Sequence, residues 1–270
     1  MALPKLKVPT HELIQPSTSK TIKFRPFMAD EEKVLLMAKE AKDDQQMINA
    51  MRDLVKACTF GKVDMNKIPT FDLEYMFVQL RARSVAEKSL IRMICQNPVP
   101  VVKPIDASGD ADAFLGDEVS GSSIKEDFKD TKACGGEIPF EIDLLNVEVV
   151  RPEGHSKTIV LDEDDKIGII LRYPEIGMLE ELDENDEDKF SSQISILIES
   201  VFEGETVTQS GDASVEDMKA FLSTFRRPHY RKIKQTFFDT MPVLRHDHPY
   251  ECPKCGVKNT KRFEGVKDFF

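Results

Sequence analysis

The chain has 270 residues, enough for one large domain or two modest ones with a hydrophobic core. A net charge of −11 argues against duplex DNA or RNA as the main partner, because a binding face must first neutralise phosphates. No apolar run approaches the roughly 20 residues that span a bilayer, and the opening MALPKLKVPTHEL lacks the apolar stretch of a secretory signal, so the chain is expected to stay where it is made. Without a secretory signal, a reducing compartment is the default, and the five cysteines then read as core residues or metal ligands. The absence of tryptophan and the excess of Phe (17) over Tyr (4) point to buried apolar contacts more than to an exposed stacking platform.

In chain order, residues 1–27 read as an N-terminal hairpin. Leu13 and Ile14 lead into a Ser17-Thr18-Ser19 turn, and Thr21 to Phe24 lead out. Three helices follow. Asp30 is the expected cap of the first. The second, from about Asp44 to Thr59, puts Met47, Ile48, Met51, Leu54, Val55 and Cys58 on one stripe. The third starts at Thr70 and aligns Leu73, Met76, Phe77 and Leu80.

From Glu87 the pattern changes to β-like runs over Lys88–Cys95, Ile138–Val150, Thr158–Leu161 and Lys166–Tyr173. Between the first two, residues 104–132 are rich in Asp, Ser and Gly and read as a mobile acidic insertion. A second acidic run, residues 180–188, precedes an expected amphipathic helix bearing Phe190, Ile194, Leu197, Ile198 and Val201. Ser214 then caps a helix to Phe225, and Pro228 is placed to open the next one. That last helix, with Arg226, Arg227, Arg231, Lys232 and Lys234, is the most positive segment of an acidic chain. It is either a solvated face or an electrostatic contact to an acidic partner surface or to the chain's own insertion.

The local motif with chemical content is Cys252-Pro253-Lys254-Cys255-Gly256. A turn of this kind points two thiolates at one tetrahedral ion, as in zinc ribbons. No second CxxC completes it. In one reading Cys95 and Cys134, at the ends of strands that would pair as a hairpin, join Cys252 and Cys255 around one structural zinc ion. In a second, His246 and His248 complete the site. In a third, the knuckle carries no metal. A redox role fits poorly, because the pair follows an extended segment and opens no helix. For catalysis there is no GxSxG, Walker loop, GxGxxG or HExxH, and His11, His155 and His229 stand apart, His155 in a Pro-Glu-Gly-His-Ser turn. No catalytic residue is assigned, and the chain is not expected to be an enzyme.

The opening residues, the segment Lys23-Phe24-Arg25-Pro26-Phe27 with Glu31-Glu32-Lys33, and Pro69-Thr70-Phe71-Asp72-Leu73-Glu74-Tyr75 leading to Leu80-Arg81-Ala82-Arg83-Ser84-Val85 together resemble the baseplate hub assembly proteins of T-even-type contractile-tailed bacteriophages. The knuckle and the closing Gly265-Val266-Lys267-Asp268-Phe269-Phe270 resemble the same family. The insertion at 104–132 departs from its pattern. The resemblance implies a role in building the tail baseplate through other hub and tail proteins, in the host cytoplasm during assembly or in the virion baseplate; the acidic charge, for its part, sets the expectation of no nucleic-acid partner. A zinc-ribbon adaptor acting on transcription is the alternative.

The expected fold is α+β. A hairpin and helical region occupies 1–86, a central antiparallel β region 87–175, further helices 176–241, and the knuckle with an apolar tail 242–270. Val266, Phe269 and Phe270 in the tail, with Arg226 and Arg227, are the candidate partner-binding residues. The phenylalanines are expected either to dock in the protein's own core or to insert into a partner.

Overall fold

A computed structural model describes residues 7–41, 43–100, 131–180 and 189–269. Residues 101–130, which include most of the acidic insertion read at 104–132, residues 181–188 of the second acidic run, and Phe270 lie outside the described residues. The fold is α+β and forms two compact units, each discontinuous in sequence. The larger comprises Met1–Ser89, Ile142–His246 and Arg262–Phe270; the smaller comprises Leu90–Glu141 and Asp247–Lys261.

The larger unit opens with the expected hairpin. Strands β1 (His11–Ile14) and β2 (Thr21–Phe24) pair antiparallel, with Ser19 in the left-handed region at φ 57° to close the turn. Helices α1 (Ala29–Ala41), α2 (Asp44–Cys58) and α3 (Thr70–Ser84) follow. α1 already includes Asp30 in its first turn, so Asp30 is not the cap; it pairs with Lys33 at 3.1 Å instead. Asp43 caps α2 by accepting from the Gln45 and Gln46 amides. α3 is buried on almost every side, from Phe71 through Ala82.

That burial includes a charge. Asp72 is wholly buried, and it ties α3 to the hairpin turn. Its carboxylate accepts from Gln15 Nε2 at 2.6 Å, from the Ser17 amide at 3.0 Å and from the Ser17 hydroxyl. Burial pushes its pKa above the usual carboxylate range, and the Ser17 and Gln15 donors pull it back only in part.

The expected central strands form, with different limits. β3 (Lys88–Ile94) pairs with β6 (Glu137–Asp143), and β4 (Pro98–Pro100) pairs with β5 (Thr131–Ala133). The insertion read as 104–132 thus gives way to a strand at Thr131. The single run expected over Ile138–Val150 is broken by a 3₁₀ turn at Leu144–Asn146, capped by Asp143, before β7 (Glu148–Val150). β8 (Thr158–Asp162) and β9 (Ile167–Leu171) come next, then the short helix α4 (Ile176–Glu180).

The helix expected to run on through Val201 ends at Leu197. α5 (Lys189–Leu197) passes directly into strand β10 (Ile198–Glu203), which lies between β9 and the exposed strand β11 (Thr206–Gln209). Helix-like spacing of Ile194, Leu197, Ile198 and Val201 misled here, because Ile198 and Val201 fit the β9 ladder, where β-branched side chains pack well. Gly168 on β9 leaves room for the Phe202 ring, with which any Cβ would collide.

Ser214 caps α6 (Val215–Ser223) through the Asp217 amide, as expected. α7 (Arg227–Ile233) holds Pro228 in its first turn and continues into a π-helical turn at Lys234–Phe238. One core cluster lies where Ile159, Ile169, Leu171 and Ile198 of the β8–β9–β10 sheet meet Ile194, Leu197, Leu222, Ile233 and Phe237 of the helices, and further buried apolar side chains, among them Met51, Leu54, Val55, Leu73, Met76 and Leu80, lie on α2 and α3. Strands β12 (Val243–Glu251) and β13 (Lys258–Glu264) and a 3₁₀ turn at Val266–Phe269 end the chain.

Asp72→Ala leaves the Gln15 and Ser17 donors without their acceptor, and is expected to destabilise the protein by about 1–3 kcal/mol in denaturant titrations. Asp72→Asn, which keeps an acceptor and removes the buried charge, should cost less. Because the folded-state pKa is raised, this group's contribution to stability is fully present below its unfolded value and is lost as pH rises through the folded one. Wild type should therefore gain on Asp72→Asn as pH falls from neutrality into the acidic range.

Candidate metal centre

The smaller unit is organised around sulfur. The β4–β5 ladder is extended by backbone bonds that flank two cysteines: the Cys95 amide donates to Gly136 O, the Cys134 amide to Asn97 O, and the Gly135 amide to Cys95 O. This brings the thiols of Cys95 and Cys134 close together, as their positions at strand ends predict. Strands β12 and β13 form a second hairpin whose tip is the Cys252–Gly256 knuckle. The Cys252 amide donates to Val257 O, the Gly256 amide donates to Cys252 O, and Gly256 takes φ 68°, a conformation that favours glycine.

The four sulfurs lie within 4.8 Å of one another, with Cys95–Cys255 at 3.9 Å and Cys134–Cys252 at 3.8 Å. Four thiolates at the bond length of about 2.3 Å around a tetrahedral ion sit about 3.8 Å apart, so the set has the dimensions of a Cys₄ site. Among the described residues it is the one group of three or more His, Cys or carboxylate side chains with metal-ligand spacing. His246 and His248 are not in it, and the His248 ring meets Phe140 edge-on at 5.4 Å. Of the residues the sequence offered for the site, the structure brings the four cysteines together and leaves the two histidines out of that group.

The surroundings fit a bound cation. Amides of Cys255 and Lys254 aim at Cys252 sulfur and, against the effect of burial, hold its pKa down to about 6. The Asn97 amide also favours the Cys95 thiolate, but burial and the neighbouring thiols outweigh it and push Cys95 up to about 11. Burial likewise raises Cys134, whose carbonyl accepts from Lys254 Nζ at 2.7 Å. Four thiols so close cannot all ionise unless a cation shares their charge, which is the service a metal gives. Gly136 closes the packing: a Cβ there would lie 2.8 Å from Lys254 Cβ and 3.0 Å from Cys252 Sγ.

The other candidate residues are scattered. Arg226 and Arg227 are exposed at the start of α7. Phe269 is fully buried and Val266 nearly so; Phe263 lies 6.1 Å from Phe269, and the Ser89 hydroxyl donates to Phe269 O. The tail up to Phe269 is thus held within its own unit. Sequence reasoning missed His155: its ring is half-buried, stacked on Tyr173, and bridges the Tyr173 and Thr240 hydroxyls at 3.0 and 3.1 Å. The Gly154 turn predicted only its backbone.

These observations define an α+β protein with a ribbon-type four-thiol cluster. A family model described as T4 bacteriophage base plate protein matches residues 8–270, and the chain belongs to that family. It is also similar to the baseplate hub assembly protein gp26 of Enterobacteria phage T4, at 27% identity over 138 residues, 51% of this chain and 59% of that protein. The chain thus spans less than two thirds of that relative's length. No solved structure matches it. No helix among the described residues is long and apolar enough to cross a membrane.

Two substitutions separate the roles of these residues. Gly136→Ala should open the cluster, so that its thiols react with a disulfide reagent faster than in wild type, while Cys58, buried in the larger unit, stays slow. Phe269→Ala should cost about 3–5 kcal/mol of stability of the larger unit in denaturant unfolding.

Proposed function

We propose that the protein works by binding other proteins during construction of a contractile tail's baseplate hub, in the host cytoplasm, and that it carries out no covalent chemistry. The family match over residues 8–270 carries this reading. The printed role of the T4 relative, hub assembly, supports it and supplies the hub as the setting. The four-cysteine cluster serves the same role as a structural element: one zinc ion held by Cys95, Cys134, Cys252 and Cys255 fixes two hairpins against each other in the smaller unit. A closed Cys₄ set offers no open position for a substrate, which favours a structural over a catalytic ion. The transcription-adaptor alternative draws no support from the comparisons.

Tagged protein recovered from infected cells should bring hub proteins with it, and mass spectrometry of purified virions then distinguishes a resident subunit from a factor that departs. Capture of no tail protein in either experiment defeats the proposal. Protein purified under reducing conditions should hold one zinc per chain. Cys252→Ser should release that zinc and lower the melting temperature, as should a strong chelator. Full stability without bound metal would remove the zinc.

A further inference from the structure

The larger unit contains a polar cavity of about 780 Å³ that the thiol cluster does not touch. Four cationic side chains line it: Lys67 before α3, Arg151 and Lys157 from the segment between β7 and β8, and Arg172 just after β9. Against them stand Glu175 and Glu199, a balance of +2 in a chain whose net charge is −11. Positive charge concentrated in one concavity of an acidic protein marks the chemistry of what it receives.

Each cation has a defined place. Lys157 lies over the Tyr173 ring, with Nζ 5.3 Å from the centroid, and approaches Glu199 at 3.7 Å. Arg172 is anchored by Nη2, which donates to Ile198 O and Ser210 Oγ at 3.1 Å each, while its buried Nε has no acceptor. Arg151 is exposed, and so is Lys67, whose Nζ lies 3.9 Å from Asp64. His155 adds no charge. The Thr240 hydroxyl donates to Thr236 O, so it accepts from His155 Nδ1–H, and His155 Nε2 accepts from the Tyr173 hydroxyl. Burial and the charges of Arg151 and Lys157 press the His155 pKa down, in keeping with that neutral tautomer.

We propose that this cavity receives an acidic segment of a partner protein, several of whose carboxylates pair with Arg151, Lys157, Arg172 and Lys67. The volume greatly exceeds that of one compact anion. The cations are side-chain ends on separate segments, and no glycine-rich loop is present to wrap a phosphate. Guanidinium forks and flexible ammonium groups spread over one concavity suit a chain of carboxylates. The proposal rests on the reading of the protein as a protein-binding factor and names the chemistry of its partner.

The test uses the full-length protein and a fluorescein-labelled hexaglutamate peptide, followed by fluorescence anisotropy at low salt. The peptide should bind and weaken as salt rises. Arg151→Ala combined with Lys157→Ala should weaken it at least about tenfold, or roughly 1.4 kcal/mol, with an unchanged melting temperature. Lys67→Ala, which removes an exposed ammonium whose ion pair with Asp64 is long at 3.9 Å, should weaken it with little effect on the melting temperature. No binding to wild type, or equal binding to wild type and both variants, overturns the proposal. So does displacement of the peptide by inorganic phosphate at matching concentration, which would mark a compact-anion site. Capture of hub proteins by wild type and variants alike, with no peptide binding, sinks this pocket and leaves the hub role standing.

Discussion

Among the described residues of the smaller unit, the buried side chains are Cys95, Cys134, Ile138, Phe140 and Cys252. Three of the five are cysteines, and large apolar residues such as Leu90 remain exposed. So small an apolar core rarely supports an independent fold, and small units of this kind usually need a staple. The sulfur cluster occupies the place of that staple. It joins chain segments more than a hundred residues apart, and the turn geometry of the unit, from the Gly135–Gly136 pair to the left-handed Gly256, serves to bring those sulfurs together.

The larger unit is organised differently. It buries apolar side chains both between a four-stranded antiparallel sheet and the helices packed on it and along α2 and α3, so it has no comparable dependence on one cluster. Two of its polar clusters are centred on Asp72 and on His155. Asp72 is buried and His155 half-buried, and each is a hydrogen-bonding hub with named partners. An unpaired polar group in such a position costs more than its hydrogen bond returns, which is why truncation there should be felt and isosteric replacement much less.

Much of this was legible in the residues. The hairpin at 11–24, the stripe of α2, the Ser214 cap and the pairing of Cys95 with Cys134 follow from local spacing and turn chemistry. The α5–β10 junction was hidden because apolar residues at helical spacing also satisfy a strand buried on the β9 ladder. β11 is exposed at each of its four positions and carries no periodic signal. The role of Asp72 was not legible, since nothing near it in sequence shows that Gln15 and Ser17 arrive from 55 or more residues away. The cationic cavity escaped for the same reason: no two of its separate segments look basic alone, whereas the run at Arg226–Lys234, which does, lies on the exposed start of α7 and the turn beyond it.

The β4–β5 ladder has a bearing on how this family can vary. Pro100 and Thr131 face each other as the last pair of that ladder, so the chain leaves and returns at one point beside the thiol cluster. Whatever length runs between them, the stem is already closed, and the entropic cost of a longer excursion rises only logarithmically, by about 0.6 kcal/mol per doubling. Residues can be gained or lost there while the spacing of the four sulfurs stays the same. A closed stem of this kind uncouples the length of what it carries from the sulfur geometry beneath it, so change between Pro100 and Thr131 need not be matched by change in the fold.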